Sequence, residues 1–379
     1  MIRVLHTADV HLGRPLRGLG NFGAKLRQQV RDTFVELMRK ARREFHAVLL
    51  AGDIFDSNHP DLIDVHRLLE AVRDAAPVPV CLLPGTHDRF SHDSVYRRPE
   101  FTGSGPQNLH VFTQDGPQTF PFRDLGLAVH GRANLVNQGG ESPLKDVRPS
   151  SEARFNIALA HASIPLASRD LDDEHDYLVR PEDAEASGMD YIALGHWHRF
   201  QECFSGTRAR VFYPGSPECL DFDGAQAIGS CAVVSLSQGR VEVQRETCGR
   251  YLWRALEVDL AAEDNDRRIR TSLDDCASPS TILRLVAVGR PVAYYRLPID
   301  DLEEEYAGRF AHLQLRDSTD RAQDPGDYRT AFIANSIGGF FCQLVEQRLQ
   351  EGPPDERKRW EEVRRRGAAL LLGKEEVGS

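Results

Sequence analysis

The sequence predicts an α/β protein, with a layered domain of central mixed β-sheets flanked by helices, a smaller α+β domain and C-terminal helices. From the start to about residue 245, short apolar runs alternate with longer segments of helical periodicity, the pattern of a layered α/β domain. The chain has 379 residues, more than the roughly 100 to 200 residues of a usual single domain. Two domains, or one domain with an appendage, are therefore expected.

Six apolar runs predict the strands of a first domain over residues 1–250. They read VLHTAD, AVLLAGD, VPVCLLPG, LGLAVHG, NIALAHA and YIALGH. Between the first two runs, apolar residues recur every three or four positions from Leu26 to Phe45, the spacing of one buried helix face. A strand, helix, strand crossover follows. Later strands of the same domain are predicted around residues 210–213, 230–235 and 240–244.

The pattern changes near residue 250. Three predicted strands and a polar helix give a small α+β domain over residues 251–317; the strands are Leu256–Leu260, Ile282–Val288 and His312–Arg316, and the helix is 262–275. A polar linker at 317–327 leads to a C-terminal helical region, 326–379. This region has an amphipathic helix over 328–349 and a basic helix over 357–372. Gly338 and Gly339 should weaken the first of these helices by roughly 1 kcal/mol each.

Composition and charge exclude several protein classes. No apolar stretch approaches the roughly 20 residues of a membrane-spanning helix, and the first residues lack a secretory apolar segment, so a cytoplasmic protein is expected. The seven Cys contain no C-x-x-C pair, which argues against a disulfide framework or a Cys-based zinc site. The formal charge of -10 argues against a uniformly basic protein that coats nucleic acid.

Polar side chains follow the ends of five predicted strands. They are Asp9 and His11, Asp53, His87 and Asp88, His161, and His196 and His198. In open α/β sheets the carboxyl ends of the strands form the ligand site, so these motifs should converge. Imidazole and carboxylate without thiolate suit manganese, iron or zinc. A pair of such ions about 3.5 to 4 Å apart clamps a phosphoryl group and needs one bridging carboxylate, for which Asp53 is the natural choice.

Each motif taken alone has an ordinary structural explanation. Asp9 and His11 could form a strand-end turn, and His161 could be a hydrogen-bonded core histidine. Asp53 and Asp56 could be a helix N-cap and a first-turn charge. The order of the motifs, each at a strand end, favours the metal site over these alternatives.

The motifs ADVHLG, AGDIFD, PGTHD, ALAHA and ALGHWH, followed by YPGSPE, resemble those of calcineurin-like metallophosphoesterases, and among them the DNA nucleases of the SbcD and YhaO type. The resemblance is strong over residues 1–250 and looser in the small domain, which is similar to the family's DNA-capping domain. It implies two divalent ions, one held by Asp9, His11, Asp53 and His198 and the other by Asp53, Thr86, His161 and His196. Mn²⁺ is expected, with Fe²⁺, Zn²⁺ or Mg²⁺ as alternatives. The resemblance also implies a catalytic group of His87, Asp88 and Asp56.

Two positions depart from the family pattern. Thr86 stands where the family usually has Asn, and its hydroxyl is a poorer ligand than an amide oxygen. Asp56 stands where several relatives carry a histidine, so it could instead anchor a ligand imidazole from behind.

The resemblance also implies DNA and protein partners. Arg14, Arg17, Arg97 and Arg98, near the first and third motifs, are expected to contact DNA phosphates, and Lys25 and Arg27 could do the same; the alternative is a solvated helix face. In similar nucleases the C-terminal helices bind the coiled-coil base of an SMC-like ATPase of the SbcC or YhaN kind. Here they could instead pack on the small domain. A homodimer is a further implication, and no membrane partner is expected.

The favoured function is therefore a metal-dependent DNA nuclease for double-strand break repair. By resemblance it would have 3′ to 5′ exonuclease and single-strand endonuclease activity. A phosphodiesterase or phosphatase for small substrates is an alternative, because the same metal motifs serve both. A DNA-binding subunit with a weakened metal site is another.

Overall fold

A computed structural model describes residues 1–136, 141–165, 177–222, 226–260, 264–289, 297–319, 332, 335–353 and 356–371. The chain divides into two compact units. The first comprises Met1–Arg254 with Ser280–Ile282, and the second comprises Ala255–Pro279 with Leu283–Ser379.

The first unit alternates strands and helices along most of its length. Its elements are β1 (Ile2–Thr7), α1 (Phe22–Glu44), β2 (Ala47–Ala51), α2 (Leu62–Asp74), β3 (Val80–Leu83), α3 (Pro99–Thr102), β4 (Leu109–Val111), β5 (Gln118–Phe122), β6 (Leu127–Gly131), β7 (Phe155–His161), α4 (Pro181–Ser187), β8 (Tyr191–Gly195), β9 (Phe200–Ser205), β10 (Arg210–Pro214), β11 (Gln226–Ser237) and β12 (Arg240–Asp259). Short 3-10 helices lie at Arg17–Leu19, Val95–Arg97 and Arg123–Leu125.

These strands form two mixed sheets. In one sheet β12, β11, β1, β2, β3 and β4 are neighbours in that order. Strands β1 to β4 are parallel and β11 is antiparallel to β1. The other sheet has the order β5-β6-β7-β8-β10-β9, with parallel central strands and antiparallel edge strands. The predicted fold class is confirmed.

Alternating side chains of β2 join two different parts of the core. Val48 and Leu50 pack with Phe34 of α1 and Leu68 of α2 on the outer face of the first sheet. Leu49 points the other way and belongs to the layer between the sheets, where β1, β3, β7 and β8 also contribute. Helices on one face and a sheet on the other explain why the strand is apolar at every position.

The second unit is a small α+β structure. After the end of β12 it contains α5 (Asn265–Asp274), β13 (Thr281–Val288), α6 (Ile299–Glu305), β14 (His312–Asp317), α7 (Ile337–Glu351) and α8 (Arg357–Leu371). Strands β12, β13 and β14 are neighbours in that order. Its core includes Ile269 of α5 and Leu285 of β13.

The expected boundaries differ from the observed ones in two places. The first unit ends at Arg254, whereas residue 250 was expected, and the boundary lies within β12, which continues to Asp259. Helix α7 begins at Ile337, where the Ser336 hydroxyl accepts a hydrogen bond from the Gly339 amide at 3.1 Å. The beginning of the helix expected over 328–349, at 328–331, and the linker from residue 320 lie outside the described residues.

The sequence did not predict β4, β5 and β9, whose residues are half-buried or exposed. Among the described helices, none combines the length and apolar character needed to cross a membrane.

Candidate metal centre

The loops after β1, β2 and β8 have an unusual backbone. Asp9, His11, Asp53 and His196 all have positive φ, at 54°, 49°, 51° and 114° respectively. Side chains other than glycine rarely adopt such angles, and each instance costs on the order of 1 to 3 kcal/mol. Strain of this kind persists where the surrounding structure enforces it, and here it occurs at four of the predicted ligand positions.

Two glycines allow these loops to approach one another. A Cβ on Gly85 would lie 2.1 Å from Oδ1 of Asp53, and a Cβ on Gly195 would lie 1.8 Å from the Ala51 carbonyl oxygen. Any side chain at either position would push the strand ends apart. The loops after β2, β3 and β8 are therefore packed closely enough for their side chains to converge.

Three clusters of potential ligands result among the described residues. They are Asp9, His11 and His198; His11, Asp53 and His87; and Asp9, Asp53 and His161. Within each cluster one ligand atom from every residue lies within 4.8 Å of the others. Because Asp9, His11 and Asp53 are shared between clusters, the three form one continuous site.

The imidazoles direct ring nitrogen atoms to the centre of this site. His11 donates from Nδ1 to Oδ1 of Asp56 at 3.1 Å, which leaves its Nε2 with a lone pair. That Nε2 lies only 3.3 Å from Nε2 of His198. Two nitrogen lone pairs at this separation repel each other unless a proton or a metal cation lies between them. The geometry therefore fits a cation held by both rings.

The surroundings of His161 also fit a metal cation. Its Nδ1 donates to the Ala51 carbonyl at 2.9 Å, and its buried Nε2 has no hydrogen-bond partner among the described residues. That Nε2 lies 3.3 Å from Oδ2 of Asp53. Burial alone would lower the pKa of His161, but the adjacent carboxylate of Asp53 outweighs it and raises that pKa to about 10. The position thus favours positive charge, as a metal site does.

Asp9 and His196 are joined by hydrogen bonds beside His161. Both carboxylate oxygens of Asp9 accept the backbone N–H of His196, at 3.0 and 3.1 Å. The His196 ring lies edge-on to the His161 ring, with 5.2 Å between their centroids. His196 is outside the three clusters but adjacent to the one that contains His161.

Thr86 and His87 lie against the Asp53 carboxylate. The Thr86 hydroxyl donates to Oδ2 of Asp53 at 3.3 Å, and the His87 backbone N–H donates to Oδ1 at 2.8 Å. Half of the His87 side chain is exposed, whereas the His11 and His161 rings are buried. His87 is therefore more accessible from solvent than the His11 and His161 rings.

Comparison with known proteins agrees with this arrangement. The calcineurin-like phosphoesterase family matches residues 2–200, more than half of the chain. The chain belongs to this family. The predicted membership is thus confirmed, and the family uses a two-metal site, for which the three clusters are candidate ligands.

Three curated proteins resemble this phosphoesterase at low identity. The uncharacterized metallophosphoesterase YhaO of Bacillus subtilis is 25% identical over 76% of this chain and 69% of its own length. The SbcD component of the nuclease SbcCD from the same organism is 27% identical over 65% of this chain and 69% of its own length. The DNA double-strand break repair protein Mre11 of Methanopyrus kandleri is 28% identical over 58% of this chain, which covers half of that relative's length.

Asp88, expected in the catalytic group of this phosphoesterase, is fully buried. Its carboxylate accepts the backbone N–H groups of Gly85 at 2.6 Å and Ile54 at 2.8 Å, and the Tyr96 hydroxyl at 2.5 Å. Burial raises the pKa of Asp88. These contacts join the loops that carry Asp53 and His87, so Asp88 is placed to fix the two loops together and not to touch a substrate.

The predicted phosphate-binding arginines have different surroundings. Arg14 lies 3.6 Å from Oδ2 of Asp221, and the same oxygen lies 4.0 Å from Nδ1 of His198, so Arg14 is beside the metal centre. Arg17 is exposed in a 3-10 helix. Arg97 packs over the Phe90 ring at 4.0 Å and donates to the Ser91 carbonyl, which ties it to its own loop.

The remaining basic candidates are also held locally. Arg98 directly follows the 3-10 helix of Arg97, and its backbone N–H bonds to the Val95 carbonyl. Lys25 lies over the Phe22 ring at 5.8 Å, and Arg27 donates to the Pro15 carbonyl at 2.6 Å.

Sequence reasoning missed Asp221 and Tyr96. Asp221 follows shortly after the YPGSPE motif, which was a usable signal for its position. Tyr96 reaches Asp88 from a 3-10 helix, and no sequence pattern marked it.

Proposed function

We propose that this phosphoesterase is a metal-dependent DNA nuclease that processes DNA ends in double-strand break repair, with 3′ to 5′ exonuclease and single-strand endonuclease activity. The observation that carries the proposal is the convergence of His11 and His198 Nε2, 3.3 Å apart, beside two buried carboxylates. Such a site is suited to phosphate ester hydrolysis. The choice of DNA is supported by the names of two relatives, a nuclease component and a double-strand break repair protein.

The proposed ligands divide into two sets that share Asp53. Asp9, His11, Asp53 and His198 would hold one ion, and Asp53, Thr86, His161 and His196 would hold the other. Mn²⁺ suits this mixture of imidazole and oxygen donors. When bound, two such ions lower the pKa of a water molecule and stabilise the oxygens that attack and leave phosphorus.

The protein's own contribution to the reaction centres on His87. Its Nδ1 donates to the Asp56 carbonyl at 3.1 Å, which fixes the ring and leaves Nε2 for the substrate. When Nε2 is protonated it can donate to the leaving oxygen, the role of a general acid. The edge-on contact with the His11 ring, at 4.8 Å between centroids, holds His87 at the mouth of the site.

Helix α7 supports the proposed contact with an SMC-like ATPase. Ile337, Phe340 and Leu344 form an apolar stripe that is 81%, 61% and 51% exposed, respectively. The opposite face packs against α8, where Gly367 admits the Phe341 ring. A helix pair with one packed face and one exposed apolar face is suited to docking in a groove on a partner.

The nuclease proposal is tested with Mn²⁺-loaded protein on bis(4-nitrophenyl) phosphate, on linear DNA labelled at the 5′ or 3′ end, and on circular single-stranded DNA. We expect all of these substrates to be cleaved, with product ladders that indicate 3′ to 5′ polarity on linear DNA. An Asp53→Asn variant should be inactive on each. Cleavage of the small ester without cleavage of DNA would support a small-substrate phosphodiesterase instead. DNA binding without hydrolysis of any substrate would support a DNA-binding subunit.

The partner proposal is tested by co-purification with an SMC-like ATPase from the same source. We expect Ile337→Asp with Phe340→Asp to abolish the complex and to leave hydrolysis of the small ester unchanged. Val136→Asp is the control, because Val136 is an exposed apolar residue of the first unit. Equal binding by both variants would contradict the proposed docking face.

A further inference from the structure

The first unit contains a groove lined by arginines, which the metal centre does not use. It has a volume of about 540 Å³ and lies between α1, α2 and β12. We call it the arginine groove and define it by Arg31 and Arg39 of α1, Arg67 of α2 and Arg250 of β12. Two carboxylates of α1, Asp32 and Glu36, also line it.

Two of the four arginines in this groove are held in ion pairs. Arg31 pairs with Asp64 at 2.7 Å, and Arg67 lies 3.7 Å from Glu70. Within the described part of the chain, Arg39 and Arg250 form no ion pair. Asp32, Glu36, Asp64 and Glu70 equal the four arginines in number, so the groove has no net charge, and its candidate phosphate donors are the guanidinium groups of Arg39 and Arg250.

Arg31 connects the groove to the loop that carries the first ligands. Its partner Asp64 is fully buried, and Oδ2 of Asp64 has no hydrogen-bond partner among the described residues. That oxygen would lie 3.4 Å from a Cβ added to Gly13, in the loop after His11. The groove is therefore adjacent to the loop of residues 9–14, which also contains Arg14.

The backbone of Arg250 is fixed by a buried carboxylate. Its backbone N–H donates to Oε1 of the buried Glu218 at 2.8 Å, and the Thr33 hydroxyl of α1 donates to the same oxygen at 2.7 Å. These bonds use the main chain of Arg250, and its guanidinium carbon lies 6.0 Å from the centroid of the Tyr251 ring, a contact that leaves the N–H groups for a ligand. Guanidinium groups bind phosphate oxygens with two parallel hydrogen bonds, so a series of them suits a chain of phosphates.

We propose that the arginine groove is a binding site for the DNA phosphate backbone, which holds the strand whose end lies in the metal centre. The inference rests on the proposed nuclease function. Recognition through phosphates is independent of sequence, as an enzyme that processes DNA ends requires. The buried Asp64 is a positioning residue, because it fixes Arg31 at the end of the groove nearest to the loop of Gly13.

The test compares single and paired variants of the full chain. Fluorescence anisotropy of a labelled oligonucleotide is measured over a range of salt concentrations, with a chelator present so that no cleavage occurs. We expect Arg39→Gln with Arg250→Gln to weaken binding roughly tenfold, about threefold for each phosphate contact, and to reduce the salt slope by about 1.4 to 1.8. Arg43→Gln is the matched control, because Arg43 is an exposed residue of α1 one turn beyond Arg39 and outside the groove.

A second paired variant removes negative charge from the same groove and should strengthen DNA binding. Asp32→Asn with Glu36→Gln removes two negative charges and should tighten binding of the oligonucleotide. Hydrolysis of bis(4-nitrophenyl) phosphate by the Mn²⁺-loaded variants should equal that of the unchanged protein, because none of these residues belongs to the metal clusters.

Several outcomes would overturn the proposal. An unchanged affinity and salt slope in the paired arginine variant would exclude the groove as a DNA site. An equal loss in Arg43→Gln would show a general effect of charge, and unchanged or weaker binding in the carboxylate variant would contradict the electrostatic argument. If the unchanged protein hydrolyses neither substrate, yet the arginine variant still binds DNA more weakly, the nuclease function fails while the phosphate-binding groove stands.

Discussion

Replacing Asp56 with Asn should weaken metal binding at the His11 position. The Asp56 carboxylate accepts from Nδ1 of His11 at 3.1 Å, and the His11 ring is 1% exposed, so solvent provides little replacement for that bond. A carboxylate behind a ligand imidazole orients the ring and makes the other nitrogen a stronger donor. Losing it typically costs about 10- to 100-fold in metal affinity, or about 1.4 to 2.8 kcal/mol.

The assay is titration of the metal-free protein with Mn²⁺ by calorimetry, which counts the bound ions and gives their affinities. Asp221→Asn is the matched control. Asp221 approaches Nδ1 of His198 only to 4.0 Å, beyond hydrogen-bond range, and is 44% exposed. A pair of this kind contributes well under 1 kcal/mol, so the control should lose less than about threefold in affinity.

Two results would refute this reasoning. If Asp56→Asn binds both ions as tightly as the unchanged protein does, the carboxylate does not support a ligand imidazole. If Asp221→Asn weakens Mn²⁺ binding more than Asp56→Asn does, the distance from carboxylate to imidazole does not predict which carboxylate supports metal binding.

Three further predictions concern other residues. His87→Ala should lower turnover by roughly 100-fold or more and leave the number of bound Mn²⁺ ions unchanged; an equal loss of metal would make His87 a ligand with His11 and Asp53, as their cluster permits. Thr86→Asn should tighten the second ion and raise activity at low Mn²⁺, with no gain at saturation; two equally tight ions in the unchanged protein would contradict this. Burial lowers the pKa of His6 to about 3 from 6.5. The unfolded chain therefore binds more protons between these values, and stability falls as pH falls through this range. For His6 alone the loss at pH 5 relative to pH 7.5 should be about 2 kcal/mol, while the raised pKa of His161 acts in the opposite direction. The test is urea unfolding of the metal-free protein and its His6→Gln variant at both pH values, where the change in stability should differ between the two by about 2 kcal/mol.

The metal centre could be predicted from the sequence because its ligands are marked locally. Each follows an apolar run that becomes a buried strand, and parallel strands end at the same edge of a sheet. The strand positions place Asp9 and Asp53 at one edge of the first sheet, whereas His161 ends β7 of the second sheet and meets Asp53 only because the two sheets pack together. The layered fold follows from the same alternation of strands and helices.

Residues that act through contacts between distant segments could not be predicted in this way. The role of Asp88 depends on Tyr96 and on amide groups of the loop after β2, which no periodicity marks. The arginine groove likewise combines α1, α2 and β12, whose positions in the sequence are far apart. The boundary predicted at residue 250 falls within β12, a single strand that belongs to both units.

The left-handed backbone at the ligand positions is maintained by contacts of the side chains that it positions. Asp9, His11 and Asp53 hold φ values near +50°, which glycine would adopt without a steric penalty. Glycine at Asp53 would relieve that strain, but it would leave the His87 backbone N–H and Nε2 of His161 without the carboxylate they face. Glycine at Asp9 would likewise leave the His196 backbone N–H without its acceptor. Selection for heat resistance alone therefore has no simple route to a relaxed backbone here, and bound ions would add to the constraint, since they stabilise only the folded chain that retains all of its ligands.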